Sequence, residues 1–288
     1  MLRVLQNLDR RWIFLAMLLA VTVPVVAQKA IPEKPTRLVQ DAFNVIENLP
    51  DGSNVLISLD YEPSTEGELA PMTKALTRHC GLKHHKMFFM TLWPGGIPLI
   101  EKNIATILEG ELADLKLAYG TDYLNLGFNA GREVTVIVMG TDFKKMFPAD
   151  NDKVPLDDPT LPMAHDVENL QDMALIIDVS AGYPGMKEWI QYGASPHHIK
   201  MVVASTAVQA PQAFPYYPNQ LTGILAAIKG AAEYEAALAV TYPRYRDPKY
   251  QEAIRRMAPQ LWAHLLVIGL IVLGNGVYLA ERRRGARP

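Results

Sequence analysis

Two uncharged apolar segments, Trp12–Ala27 and Leu261–Ala280, bracket a central stretch of ordinary globular composition. A spanning helix needs roughly 20 apolar residues to cross about 30 Å of hydrocarbon. Leu261–Ala280 is long enough. It carries Trp262 and Tyr278 near its ends, where amphipathic rings prefer the membrane interface, and the basic cluster Arg282, Arg283, Arg284 and Arg287 follows it. Such clusters stay cytoplasmic. The first segment is shorter and follows Arg10 and Arg11. Two readings fit it: a retained anchor extended by Ile31, or a cleavable signal with small residues at Val25 and Ala27. Both carry the residues after Lys29 across the membrane.

The expected organisation is therefore a cytoplasmic head with the first span (residues 1–30), an extracytoplasmic α/β domain (31–240), a basic juxtamembrane linker (241–260), and a second span with a short basic tail (261–288). The expected address is the prokaryotic inner or plasma membrane, two-pass, with both termini cytoplasmic. Arg244, Arg246, Lys249, Arg255 and Arg256 precede the second span and weaken the charge asymmetry, so a cytoplasmic domain stays open as the alternative. The single cysteine, Cys80, rules out an internal disulfide, which an exported domain of this size does not require.

The formal charge is −2. The head carries a surplus of +2 and the tail +3, leaving −7 for the centre. An acidic centre argues against nucleic acid, because phosphate binding needs clustered positive charge. The partners expected instead are the lipid bilayer and other integral membrane proteins, in a homo- or hetero-oligomer.

Within the centre, hydropathy alternates between helical and strand-like segments. Leu38, Ala42, Val45, Ile46 and Leu49 recur at helical spacing, and Asn54–Tyr61 is a short apolar strand. Thr65 to Glu68 reads as a capping box. Lys86–Trp93, Met173–Gly182 and Lys200–Thr206 are further strands, and a helix is expected from Pro94 to about Leu117. The segments 122–128 and 132–140 both look strand-like, and Asn129-Ala130-Gly131 suggests a hairpin between them. Pro184 reads as the first residue of a helix, and the last domain helix is expected from Leu221 to Val240. Strands apolar throughout, alternating with helices, imply an α/β fold: a doubly wound, largely parallel Rossmann-like sheet flanked by the two transmembrane helices.

In such sheets ligands bind beyond the carboxyl ends of the strands. That nominates Asp60 and Glu62 after the first strand, Trp93, Gly95 and Gly96 after the second, Ser180, Gly182 and Gly185 after a later one, and Ser205 and Thr206 after the last. Glycine at a strand-to-helix turn admits a ligand to the backbone, and a helix N-terminus offers free N–H groups. The bland reading is that these residues only make tight turns. No Walker loop, Gly-x-Gly-x-x-Gly or Gly-x-Ser-x-Gly elbow is present. Ser180 or Ser205 with His165, His197 or His198 as base is a third-ranked hydrolase reading without triad spacing. His79, Cys80, His84 and His85 are weak metal candidates, and the acidic loop with Asp150, Asp152, Asp157 and Asp158 lacks EF-hand spacing. No metal and no cofactor are predicted.

Gly223, Ala227, Ala226 and Gly230 form two small-xxx-small pairs on the expected last helix, a spacing that lets another backbone approach, and Asn275 lies deep in the second span. These are the interface candidates. The runs LISLDY, TLWP and GAAEYE resemble an uncharacterised family of prokaryotic membrane-anchored proteins, a resemblance that implies no activity and supplies no catalytic residue. The functions expected, in order, are an accessory or structural subunit of a membrane complex, an extracytoplasmic small-molecule sensor or transport accessory, and an envelope hydrolase, so the balance leans away from an enzyme.

Overall fold

A computed structural model describes residues 9–27 and 33–285. Lys29, Ile31, Arg3 and Arg287, on which parts of the topology reading rest, lie outside the described residues. Six strands form one all-parallel sheet: β1 (Asn54–Asp60), β2 (Lys86–Thr91), β3 (Tyr123–Phe128), β4 (Leu175–Ser180), β5 (Lys200–Ser205) and β6 (Gly223–Ala226). Their order is β3-β2-β1-β4-β5-β6. The chain thus builds outward from β1 in one direction, returns, and builds outward from β4 in the other.

Alternate residues of each strand feed separate cores. Val55, Ile57 and Leu59 of β1 pack with Ile177 of β4 under α2 (Arg37–Glu47), α3 (Glu66–Leu82) and the later helix α8 (Ala227–Thr241). Leu56 and Ile176 face the other way, against α5 (Glu133–Met139), α6 (Phe143–Met146) and the helical run that begins at α7 (Met186–Glu188). The strand period of two carries this division, and both faces are apolar because both are covered. After β2 the chain enters α4 (Ile97–Asn103), which continues as a π-helical stretch, Ile104–Glu111.

Two apolar helices complete the molecule. α1 (Arg10–Ala27) and α9 (Glu252–Gly285) are each long and apolar enough to cross a membrane, and their apolar windows are not buried by the domain. Val25 of α1 meets Arg255, Arg256 and Pro259 of α9 around a shared cleft.

Several expected elements differ from this. Residues 132–140 do not return as a hairpin strand. Glu133–Met139 is helical, with Val136 and Met139 buried and Val134 and Ile137 exposed. Three-residue spacing of buried positions fits a helix packed against the helical stretch 189–194, and tertiary packing overrides the β-branched composition. Gly223–Ala226 is the edge strand β6, so the helix begins only at Ala227. Gly223 lies under α2, where an added Cβ would sit 2.4 Å from Ala42. Thr65 makes no capping bond; its hydroxyl donates to Glu62 O, and Glu68 accepts from Ala207 N. Pro184 follows a cis peptide, and the helix starts at Met186. Residues 252–260 of the expected linker belong to α9.

Candidate functional site

The last residues of three strands stand side by side. Asp60 of β1 pairs in register with Ser180 of β4, which pairs with Ser205 of β5. This row lies where the strand order reverses, the place that leaves a crevice in open α/β sheets. One step deeper, Asp178 lies beside Ser58 and, like Asp60, is fully buried. Asp178 was not among the expected site residues. A lone acid inside the apolar run LIIDVS was the signal that could have found it.

The two carboxyls are held differently. Asp60 Oδ1 accepts from Leu92 N (2.7 Å), and Oδ2 accepts from the indole Nε1 of Trp189 (2.8 Å). Both its oxygens are therefore served by N–H donors. Asp178 Oδ2 accepts from Ser180 Oγ (2.6 Å), while Oδ1 has no donor among the described residues. Burial pushes Asp60 up to about 6. Burial, with the neighbouring Asp60 charge, pushes Asp178 well above the usual carboxylate range. Asp178 lies close enough to Asp60 for the two carboxyl charges to act on each other. A proton on Asp178 Oδ1 satisfies that orphan atom and lets Asp60 stay an acceptor, as in other carboxyl pairs that share a proton.

The rim above this pair is closed by its own chain. The Trp93 indole Nε1 donates to Pro184 O (2.6 Å), and its ring lies against Gly182, where an added Cβ would come within 2.9 Å of ring carbons. Glycine there admits the indole. The N–H groups at the start of α7 are already taken: Gly185 N donates to Glu188 Oε2 (2.8 Å) and Met186 N to Ser180 Oγ (3.2 Å). Gly96 and Thr206 are buried in the same rim, while Gly95 lies half-buried against Glu62, which is exposed. The ten expected edge residues are thus brought together, but most of their polar atoms hold the chain to itself. Ser205 Oγ and Gln209 Oε1 remain buried without a partner among the described residues.

The histidines do not join this row. His197 and His198 precede β5, at the opposite edge of the sheet from Ser205. His197 Nδ1 lies 3.4 Å from Gln171 Nε2, and His165 Nε2 lies 2.9 Å from Asp158 O. No serine–histidine pair is assembled among the described residues. His79 is sealed inside the domain. Its Nε2 meets Glu47 Oε2 (2.8 Å), its Nδ1 meets Tyr234 OH (2.6 Å), and Phe43 stacks on the ring. Burial lowers His79 to about 4, which leaves the ring neutral at ordinary pH. Cys80 is buried, and His84 is the positive-φ residue of a turn. Among the described residues no group of three or more His, Cys, Asp and Glu is placed to hold a metal ion.

The interface candidates also separate from one another. Gly223 and Ala226 belong to a strand and Ala227 and Gly230 to a helix, so they form no single helical stripe. Gly230 packs on the Leu225 backbone, which a Cβ added to the glycine would approach to 2.8 Å. Asn275 is exposed on α9 and donates to Ile271 O of its own helix (3.0 Å).

A feature that sequence reasoning missed joins the domain to α9. Glu235 of α8 is almost fully buried and accepts from Ala253 N and Ile254 N, both at 3.0 Å. It supplies from another helix what a capping residue supplies locally. Burial lifts Glu235 to about 7 against the pull of these donors. Lys74 pairs with Glu252 (2.8 Å), and Arg244 donates to Asp114 Oδ2 and Glu111 O. The basic linker is pinned along its length. Comparisons with protein-family models, with curated proteins and with solved structures find no match to this chain.

Proposed function

We propose that this chain is a non-catalytic accessory subunit of a membrane protein complex, with a doubly wound, Rossmann-like domain held in a set attitude on two spanning helices. The strand order and its reversal between β1 and β4 support that classification. The observation that carries the functional reading is the clamp around Glu235. It joins domain and helix through buried hydrogen bonds instead of a free linker. A fixed attitude serves a protein that presents a surface to neighbours in the same bilayer. The edge row supports the non-catalytic side, since Ser180 and Asp60 are committed to internal hydrogen bonds. We place the domain outside the cytoplasm, on the strength of the basic tail that follows the second span.

Asn275 adds support. It lies about 21 Å along α9 from Leu261, short of the roughly 30 Å hydrocarbon thickness, and its carbonyl oxygen is free to accept from a partner helix. The test is native mass measurement of the full chain extracted in polymer-bounded lipid discs. A mass above the monomer that falls in Asn275→Leu supports assembly. A monomer in both refutes it. Gly230→Leu does not serve here, because the added side chain strikes Leu225 within the domain.

A second reading is a small-molecule site at the β1–β4 crevice, favoured by the unpartnered Ser205 Oγ and Asp178 Oδ1. Opening the rim with Trp93→Ala and screening hydroxyl-rich compounds by thermal shift tests it; no stabilisation in either protein counts against it.

A further inference from the structure

The contacts of α9 fix which end of the sheet faces the membrane. Glu252 of α9 pairs with Lys74 of α3, and four residues later Arg256 donates to Gly67 O, seven residues back along α3. The two helices are therefore antiparallel. Because α3 follows β1 and runs against the strands, α9 runs with them and leaves the domain past their carboxyl ends. The uncharged stretch starts at Leu261, about 8 Å beyond Arg256 at 1.5 Å per residue. The headgroup layer of one leaflet is itself about 5–8 Å thick. The carboxyl edge of the sheet then stands at the headgroup surface.

The loop after β5 is tied to that level. Ala207 N donates to Glu68 Oε1, beside the Gly67 carbonyl that Arg256 holds. The next residue, Val208, is 85% exposed, the most exposed large apolar side chain of the described residues. Elsewhere on this edge Tyr183 is 56% exposed, with Arg132 over its ring. An exposed aliphatic residue with an aromatic–arginine pair suits the polar–apolar boundary of a bilayer.

We infer that the carboxyl edge of the sheet, led by Val208 with Tyr183 and Arg132, is a lipid-contact surface seated in the headgroup layer. The crevice at the β1–β4 reversal consequently opens towards lipid, not bulk water. This rests on α1 and α9 crossing the bilayer and not on the proposed assembly.

The test uses the full chain in phosphatidylcholine nanodiscs, labelled with an environment-sensitive fluorophore at Val208→Cys, at Asp51→Cys in the turn at the opposite edge, and at Val272→Cys within α9. Cys80 stays in place, since it is buried and its thiol is pushed up by burial. Headgroup spin-labelled lipid is expected to quench position 208 several-fold more strongly than position 51, with 272 quenched by acyl-chain labels. Equal quenching at 208 and 51, with 272 responding, overturns the lipid-contact surface alone. Protection of 208 from a water-soluble quencher without lipid quenching marks a protein cover and also overturns it. No acyl-chain quenching at 272 removes the membrane premise itself.

Discussion

Exchanging Asp178 for Asn separates the two buried carboxyls by role. In the wild-type fold Asp178 takes a hydrogen bond from Ser180 on Oδ2, its Oδ1 is unpartnered among the described residues, and the Asp60 charge acts on it. An Asn amide has the same shape: its oxygen accepts from Ser180, and its NH2 donates towards Asp60. The folded value of each acid lies above its ordinary one, so the fold binds these protons more tightly than the unfolded chain does. Each therefore contributes stability that is fully present below pH 3.8 and lost as pH rises through the folded value. For Asp60, a rise from 3.8 to about 6 corresponds to about 3 kcal/mol, of which somewhat over 1 is regained by pH 5. The amide introduced by Asp178→Asn has no such proton to lose. The substitution is expected to stabilise the protein at pH 7.5, read as a rise in Tm over the wild type. The advantage should shrink as pH falls towards 3.8. Asp60→Asn should do the opposite, because both Asp60 oxygens already accept from N–H groups and an amide NH2 leaves Leu92 N or Trp189 Nε1 unpaired, costing about 1–3 kcal/mol. Melting curves of the detergent-solubilised full chain from pH 5 to 8, followed by tryptophan fluorescence, distinguish the two. A loss of stability in Asp178→Asn with an unchanged pH slope would show that the proton does not reside there.

Other expectations follow from contacts described above. His79→Ala should lose about 2–4 kcal/mol in urea unfolding, since it leaves Tyr234 OH and Glu47 without their shared partner and opens a cavity beside Phe43. Glu235→Ala should free the N-terminus of α9 and expose the 244–256 segment, read as faster tryptic cleavage there with the domain core intact; unchanged cleavage would mean the clamp holds without its carboxylate. Gly223→Val should abolish folded protein at 37 °C, because the new Cβ would overlap Ala42 of α2, and normal yield would place α2 elsewhere.

Much of the sheet was legible because its strands are short apolar runs between turn residues, and the five strands predicted at 54–61, 86–93, 122–128, 173–182 and 200–206 all form. The edge strand β6 was hidden because Gly223–Ala226 is short and flows into a helix of similar composition; its pairing with β5 and the close approach of Ala42 distinguish it. Residues 133–139 misled for the opposite reason, since five consecutive β-branched residues read as strand while burial at Val136 and Met139 obeys helical spacing. For the edge row, strand ends located Asp60, Ser180 and Ser205, and the sheet register aligned them. Which of their atoms are free depends on Trp189 and Leu92, whose separation from Asp60 along the chain no local pattern bridges.

The 34 residues of α9 make a helical rod about 51 Å long, with Pro259 inside it, seated at one end in the domain by Glu235. Such a rod is a lever. Tilting it by about 10° swings its far end by roughly 9 Å at that length. In the assembly proposed above, a neighbouring protein that leaned on α9 would apply torque to α8 and, through it, to the sheet.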